Sequence, residues 1–101
     1  MWAQLVKMHS KDGSEGALEN LERQWEESVG RATDSGWMRT MAFTSTENPR
    51  DAYLLVMFES EEKARANENS PQHQEFLSKM MDAVDGTPEY VDLTPIYESS
   101  R

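Results

Sequence analysis

The sequence predicts an α+β fold of the ferredoxin-like type, βαββαβ, built on a four-stranded antiparallel sheet. Three observations carry that expectation. Apolar residues alternate with period two at the start of the chain and again in its middle. The two central strands are separated by a loop of hairpin length, and each is joined to an outer strand through a helical crossover. With 101 residues there is material for one core only.

Each element has its own warrant. Trp2, Gln4, Val6 and Met8 share one side of the first strand, and Ala3, Leu5, Lys7 and His9 share the other. Lys11-Asp12-Gly13 ends it. Asp12 or Ser14 can cap the helix that follows, because both side chains accept from first-turn amides. That helix is expected to reach about Ala32. Leu18, Leu21, Trp25 and Val29 form its apolar stripe, whereas Glu19, Glu22, Glu26 and Glu27 are expected in solvent. Asp34-Ser35-Gly36 is a turn. Trp37 to Ser45 reads as the second strand, with Trp37, Arg39, Met41 and Phe43 on one side. The loop from Glu47 to Asp51 has turn chemistry, and Tyr53 to Phe58 is the third strand. Ser60 caps a short helix from Glu61 to about Asn67. Ser70-Pro71 starts the last helix, with proline where its missing amide hydrogen is harmless. Phe76, Leu77, Met80, Met81 and Val84 form its apolar face, and Gly86 is placed to end it in a left-handed conformation. Glu89 to about Tyr97 is a fourth, edge-like strand whose pairing Pro95 limits. Residues 1–98 form one domain and 99–101 a frayed tail.

Composition removes several function classes. There is no cysteine, which excludes a disulfide scaffold, thiolate zinc and a catalytic thiol. His9 and His73 are the only histidines. The net charge is −9; residues 1–50 carry 6 basic and 8 acidic side chains, and residues 51–101 carry 4 and 11. No basic stripe exists, so no nucleic-acid partner is expected. The acid excess reads as a solubility feature. The longest apolar run, Ala52–Phe58, is too short to span a membrane. The opening residues lack a basic region followed by an apolar one, so a cytoplasmic location is the expectation.

The third strand predicts a homodimer. An antiparallel strand with one wet face alternates apolar and polar residues. Tyr53-Leu54-Leu55-Val56-Met57-Phe58 is apolar throughout, so both faces call for burial. The amphipathic helices can cover one side of the sheet. A second copy of the same sheet is the economical cover for the other.

The run from Tyr53 through Glu59-Ser60-Glu61-Glu62-Lys63-Ala64, then Asn67-Glu68-Asn69-Ser70-Pro71-Gln72-His73 and Phe76, resembles the antibiotic biosynthesis monooxygenase-like domains of the dimeric α+β barrel superfamily. Element order and length are similar over nearly the whole chain. The resemblance implies two sheets facing each other in a barrel, with a ligand pocket between each sheet and its helices. Its members include cofactor-independent oxygenases of aromatic polyketides, quinol oxygenases, haem-degrading enzymes and domains without an assigned activity. Some members have a histidine in the short helix, where this chain has Asn67. The histidine after Ser-Pro is displaced by one, to His73. Haem-degrading members use a first-strand asparagine and a short-helix tryptophan; this chain has Gln4, Val6 and Lys7 in the strand and Ala66-Asn67 in the helix. His73 is the remaining candidate ligand to haem.

Two catalytic candidates follow, His73 and Asn67. His73 lies near a helix start, where the helix dipole disfavours its charged form. That suits a general base or a ligand, and equally a surface histidine. Asn67 can hydrogen-bond a phenol or quinone oxygen, or cap its helix. The substrate-binding candidates are Gln4, Trp2, Trp25, Phe58 and Phe76. Trp2, Trp25 and Trp37 can stack on a flat aromatic ligand, though core packing also accounts for Trp25. Met8, Met80 and Met81 suit either an adaptable cavity or an ordinary core. His9 reads as structural, Arg39 as one half of a cross-strand ion pair or a carboxylate binder, and Asp82 and Asp85 as solvated. Gly13 and Gly16 form no dinucleotide fingerprint, and no hydrolase triad or zinc-helix motif is present. No metal and no cofactor are expected. Two readings of function stay open: a cofactor-independent monooxygenase acting on a small aromatic or quinol compound, and a non-catalytic dimeric module that binds a small hydrophobic ligand.

Overall fold

The period-two segments become four strands, β1 (Trp2–His9), β2 (Trp37–Thr44), β3 (Asp51–Phe58) and β4 (Glu89–Leu93). They form one sheet in the order β2-β3-β1-β4 with every pair antiparallel. The helices are α1 (Glu15–Trp25), α2 (Glu61–Glu68) and α3 (Pro71–Ala83). This is the ferredoxin-like α+β arrangement. The computed structural model describes residues 1–101, the side chain of Glu15 excepted.

Serines start the two later helices. The Ser60 hydroxyl accepts from the Lys63 amide at 3.2 Å, and the Ser70 hydroxyl from the His73 amide at 3.1 Å. Ser14 occupies the same position before α1 but makes no side-chain cap bond. The first helix also stops short of Ala32. After Trp25 it widens into a π-helical turn, Glu26–Gly30, with the Arg31 amide reaching the Glu26 carbonyl at 2.9 Å. Gly30 at its end is wedged between two indoles. A Cβ there would lie 3.0 Å from Trp25 Cζ3 and 3.1 Å from Trp37 Cδ2.

Two further ends differ from expectation. Helix α3 finishes at Ala83 because Val84 turns extended and bridges to Ser10. Gly86 does adopt φ +75°, but in the turn leading to β4. β4 ends at Leu93, so Ile96 and Tyr97 lie beyond the sheet, 99% and 83% exposed.

Register decides the faces. Trp2, Gln4, Val6 and Met8 pair with Phe58, Val56, Leu54 and Ala52, and this face of the two central strands meets the helices. The core there falls into two clusters. One gathers Val6, Met8, Leu18, Leu54, Met80 and Val84. The other gathers Trp2, Trp25, Val29, Phe58 and Ala64. Val56 and Phe76 touch both. The opposite face carries Leu5, Tyr53, Leu55 and Met57, flanked by Met41 and Phe43 on β2 and by Val91 and Leu93 on β4. No helix covers it, and Phe43 is 49% exposed.

A bulge between Trp37 and Arg39 breaks the expected alternation of β2. It turns Trp37 toward the helices, where its ring meets Trp25 edge-on, and leaves Arg39, Met41 and Phe43 on the opposite face. Arg39 is exposed there and, among the described residues, makes no ion pair within the chain. His9 is paired across strands with Asp51 at 2.6 Å. Asp85 is exposed, as expected, and pairs at the surface with Arg50 at 2.6 Å.

Candidate functional site

Between the two core clusters lies a cavity of about 550 Å³, floored by β1, β3 and β4 and roofed by the three helices. Its wall is mostly apolar, with polar groups concentrated toward α2 and β4. The structure places all seven sequence-predicted site residues around it: Trp2 and Gln4 from β1, Phe58 from β3, Trp25 from α1, Asn67 from α2, and His73 and Phe76 from α3. Trp37 stands outside, its indole nitrogen donating to the Thr40 hydroxyl at 2.9 Å. Of the three methionines considered, Met80 lines the cavity, Met8 is core and Met81 is exposed.

Hydrogen bonding narrows what each polar group can do. Trp25 Nε1 donates to His73 Nδ1 at 3.0 Å. An indole nitrogen is a donor only, so Nδ1 must be unprotonated and Nε2 carries the hydrogen. Burial pushes the His73 pKa below its ordinary value, against a smaller upward pull from Glu68. His73 is thus a neutral imidazole offering an Nε2–H. In this arrangement it is a donor; neither nitrogen is free to act as a base or as a ligand to iron.

Asn67 is likewise committed. Its amide nitrogen donates to the Ser35 carbonyl at 2.7 Å and the Lys63 carbonyl at 3.0 Å. Both partners are acceptors, so the amide orientation is settled and only Oδ1 remains. The residue ties α2 to the turn after α1. Gln4 donates to Asp92 at 3.1 Å and keeps its carbonyl oxygen.

The polar rim is organised by Arg65. Its guanidinium binds Asp92 at 2.6 Å, Glu68 at 2.8 Å and Glu61 at 3.2 Å, and lies 5.1 Å from the centre of the Trp2 ring. Hydrogen bonds from Gln4 and then Arg65 hold Asp92 below the usual carboxylate range. Tyr90, across from Val6 on β4, has its hydroxyl pKa raised by burial and by Glu68. The one cation on the wall is consumed by carboxylates, so the cavity disfavours anionic ligands and suits a neutral one.

The residue that sequence reasoning missed is Glu22. Expected in solvent, it faces the cavity instead. Desolvation raises its carboxyl from 4.5 to about 7. The signal was available in the spacing. Glu22 follows Leu18 by four and precedes Trp25 by three, which places it on the buried stripe. Glu19, Glu26 and Glu27 do not share that position. Among the described residues, no three His, Cys, Asp or Glu side chains converge as a metal site.

No protein-family model matches the chain, and no curated protein matches it by sequence. Solved structures do. A Nitrosomonas europaea protein named as a candidate antibiotic biosynthesis monooxygenase superposes with TM-score 0.80 at 18% identity, over 96% of this chain and 100% of that one. A similarly named Bordetella bronchiseptica protein gives 0.80 at 18% identity, over 95% and 97%. One from Chloroflexus aurantiacus gives 0.77 at 15% identity, over 98% and 96%. At these identities the likeness is one of architecture: the chain has the fold of an antibiotic biosynthesis monooxygenase-like domain.

Proposed function

We propose that this protein is a homodimeric, cofactor-independent monooxygenase whose substrate is a small, neutral, electron-rich phenol or quinol. The observation that carries the reading is the cavity, an apolar space of about 550 Å³ walled by aromatic rings and supplied with one neutral N–H donor at His73. Rings of Trp2, Trp25, Phe58 and Phe76 suit a flat ligand. The balance needs no external reductant. A phenol loses its hydroxyl hydrogen and one ring hydrogen and becomes a quinone. One oxygen atom of dioxygen enters the ring as the new carbonyl, and the other leaves as water with those two hydrogens. The role of the wall is to bind the ring, stabilise negative charge on its oxygen and exclude bulk water.

Oxygen consumption with a panel of electron-rich phenols, using isotopically labelled dioxygen, tests this. One labelled oxygen in the quinone and one in water is the expected result. Binding and thermal stabilisation without oxygen uptake across the panel would leave the non-catalytic ligand-binding reading in its place. The dimer is supported by the uncovered face, where Leu5, Leu55, Met57 and Phe43 form an apolar surface of the kind that pairs with itself about a two-fold axis. Native mass spectrometry at micromolar concentration is expected to show two copies; a monomer would refute the dimer. Among the described residues, no helix is long and apolar enough to cross a membrane.

A further inference from the structure

We propose that Glu22 is the proton acceptor of this cavity, taking the hydroxyl proton of a neutral hydroxylated aromatic bound against the tryptophan wall. The inference deepens the oxygenase reading and rests on it for the chemistry that follows proton removal. In the step itself the ligand O–H bond breaks, its electron pair stays on the phenolate oxygen, and a new O–H bond forms on the Glu22 carboxylate.

Three features of the structure lead here. Glu22 projects from the buried face of α1 into the cavity, one turn before Trp25. Among the described residues, no hydrogen bond or ion pair engages its carboxyl. The other two carboxylates on the wall, Glu68 and Asp92, are both bound to Arg65. Every competing acceptor is weaker or occupied. His73 has Nδ1 filled by Trp25 and a hydrogen on Nε2. Asn67 and Gln4 retain amide oxygens, which accept hydrogen bonds but do not take protons at neutral pH.

The charged and titratable groups facing Glu22 across the cavity are His73 from α3, Arg65 and Glu68 from α2, and Tyr90 and Asp92 from β4. His73 is neutral and Arg65 is saturated by acids, so no cation holds Glu22 in its charged form. Lys79 pairs with Glu75 and lines a separate cleft. Its burial makes the Glu22 carboxyl balance its two forms near pH 7, which is the condition for a base that must accept a proton and later release it. His73, whose ring is held by the Trp25 indole and lines the same cavity, keeps an Nε2–H that suits the phenolate that results.

The test separates proton acceptance from turnover. β-Naphthol and its methyl ether are titrated anaerobically into the wild-type protein and Glu22→Gln at pH 6 and pH 8, with heat as the readout. Ionised Glu22 accepts a hydrogen bond from the hydroxyl, so naphthol is expected to bind the wild type about threefold or more tighter at pH 8 than at pH 6. The ether has no proton to give and is expected to show no such gain. Glu22→Gln is expected to bind naphthol with the same affinity at both pH values. In oxygen uptake, Glu22→Gln is expected to lose the rise in rate through about pH 7, with kcat lowered roughly a hundredfold and KM raised by only about the threefold lost in binding at pH 8. Equal pH dependence in wild type and Glu22→Gln, or in naphthol and ether, would overturn the proposal while leaving an oxygenase that consumes phenols intact. A Glu22-dependent naphthol signal without oxygen uptake would support the proton acceptor and overturn the oxygenase. Failure of naphthol to bind would overturn the proton acceptor, and the oxygen-uptake panel would then decide the oxygenase by itself.

Discussion

Replacing Glu22 by glutamine should stabilise the protein at alkaline pH and leave it unchanged at acid pH. The carboxyl rises from 4.5 to about 7 on folding because the cavity desolvates it. A raised carboxyl means that the native state binds more protons than the unfolded state between those values. Its contribution is therefore fully present below 4.5 and is lost as pH rises through about 7. At about 1.4 kcal/mol for each tenfold change in proton affinity, ionised Glu22 costs the fold roughly 3 kcal/mol at pH 8. That is a large share of the 5–15 kcal/mol typical of a domain, on the order of a fifth or more. Glutamine has nearly the same shape and never ionises. Urea unfolding followed by tryptophan fluorescence at pH 4.5 and pH 8 should show a variant about equal to wild type at the first and about 3 kcal/mol more stable at the second. His73 acts in the opposite sense. Its lowered pKa costs stability as pH falls below the ordinary histidine value of 6.5, but both proteins carry it and the difference cancels it. A stability gap that is the same at both pH values would refute the placement of Glu22 in a desolvated cavity.

Three other outcomes follow from the same packing. Trp25→Phe replaces the indole that helps bury His73 with a smaller ring, so the His73 pKa, which burial lowers, should move up toward its ordinary value in an NMR titration, with a stability loss of about 1 kcal/mol for the hydrogen bond and more for the lost indole contacts; an unmoved titration would show that the indole is not what desolvates the imidazole. Gly30→Ala places a methyl about 3 Å from two indole rings and should cost roughly 1–3 kcal/mol in denaturant unfolding, whereas Gly16→Ala, with open space around it, should cost far less. Leu55→Lys puts a charge at the centre of the uncovered sheet face, so it should yield a folded monomer by sedimentation with unchanged circular dichroism; a dimer that survives it would place the interface elsewhere.

The cavity's aromatic wall was legible because strand period and helix stripe are local properties. Trp2 and Gln4 share a strand side with Val6 whatever the tertiary arrangement, and Trp25 follows Leu18 by seven residues on one helix face. Glu22 departs from expectation because glutamate ordinarily seeks solvent, whereas its spacing from Leu18 and Trp25 puts it on the stripe. Trp37 departs from expectation for a different reason. One extra residue in β2 reverses the facing of everything before it, and a bulge has no marker in Trp37-Met38-Arg39.

From sequence alone came the element order, the serine caps of α2 and α3, one core's worth of chain, and a third strand too apolar for a half-solvated sheet. These depend on neighbours in the chain and on composition. The tertiary structure alone decided which polar groups are engaged and which are left open. The Trp25 indole lies 48 positions from His73 in the chain yet settles which imidazole nitrogen carries the hydrogen. The turn at Ser35 takes one of the two Asn67 amide hydrogens, and the gap between two core clusters desolvates Glu22. Protonation and hydrogen-bonding capacity are properties of an environment, and that environment is assembled from residues far apart in sequence.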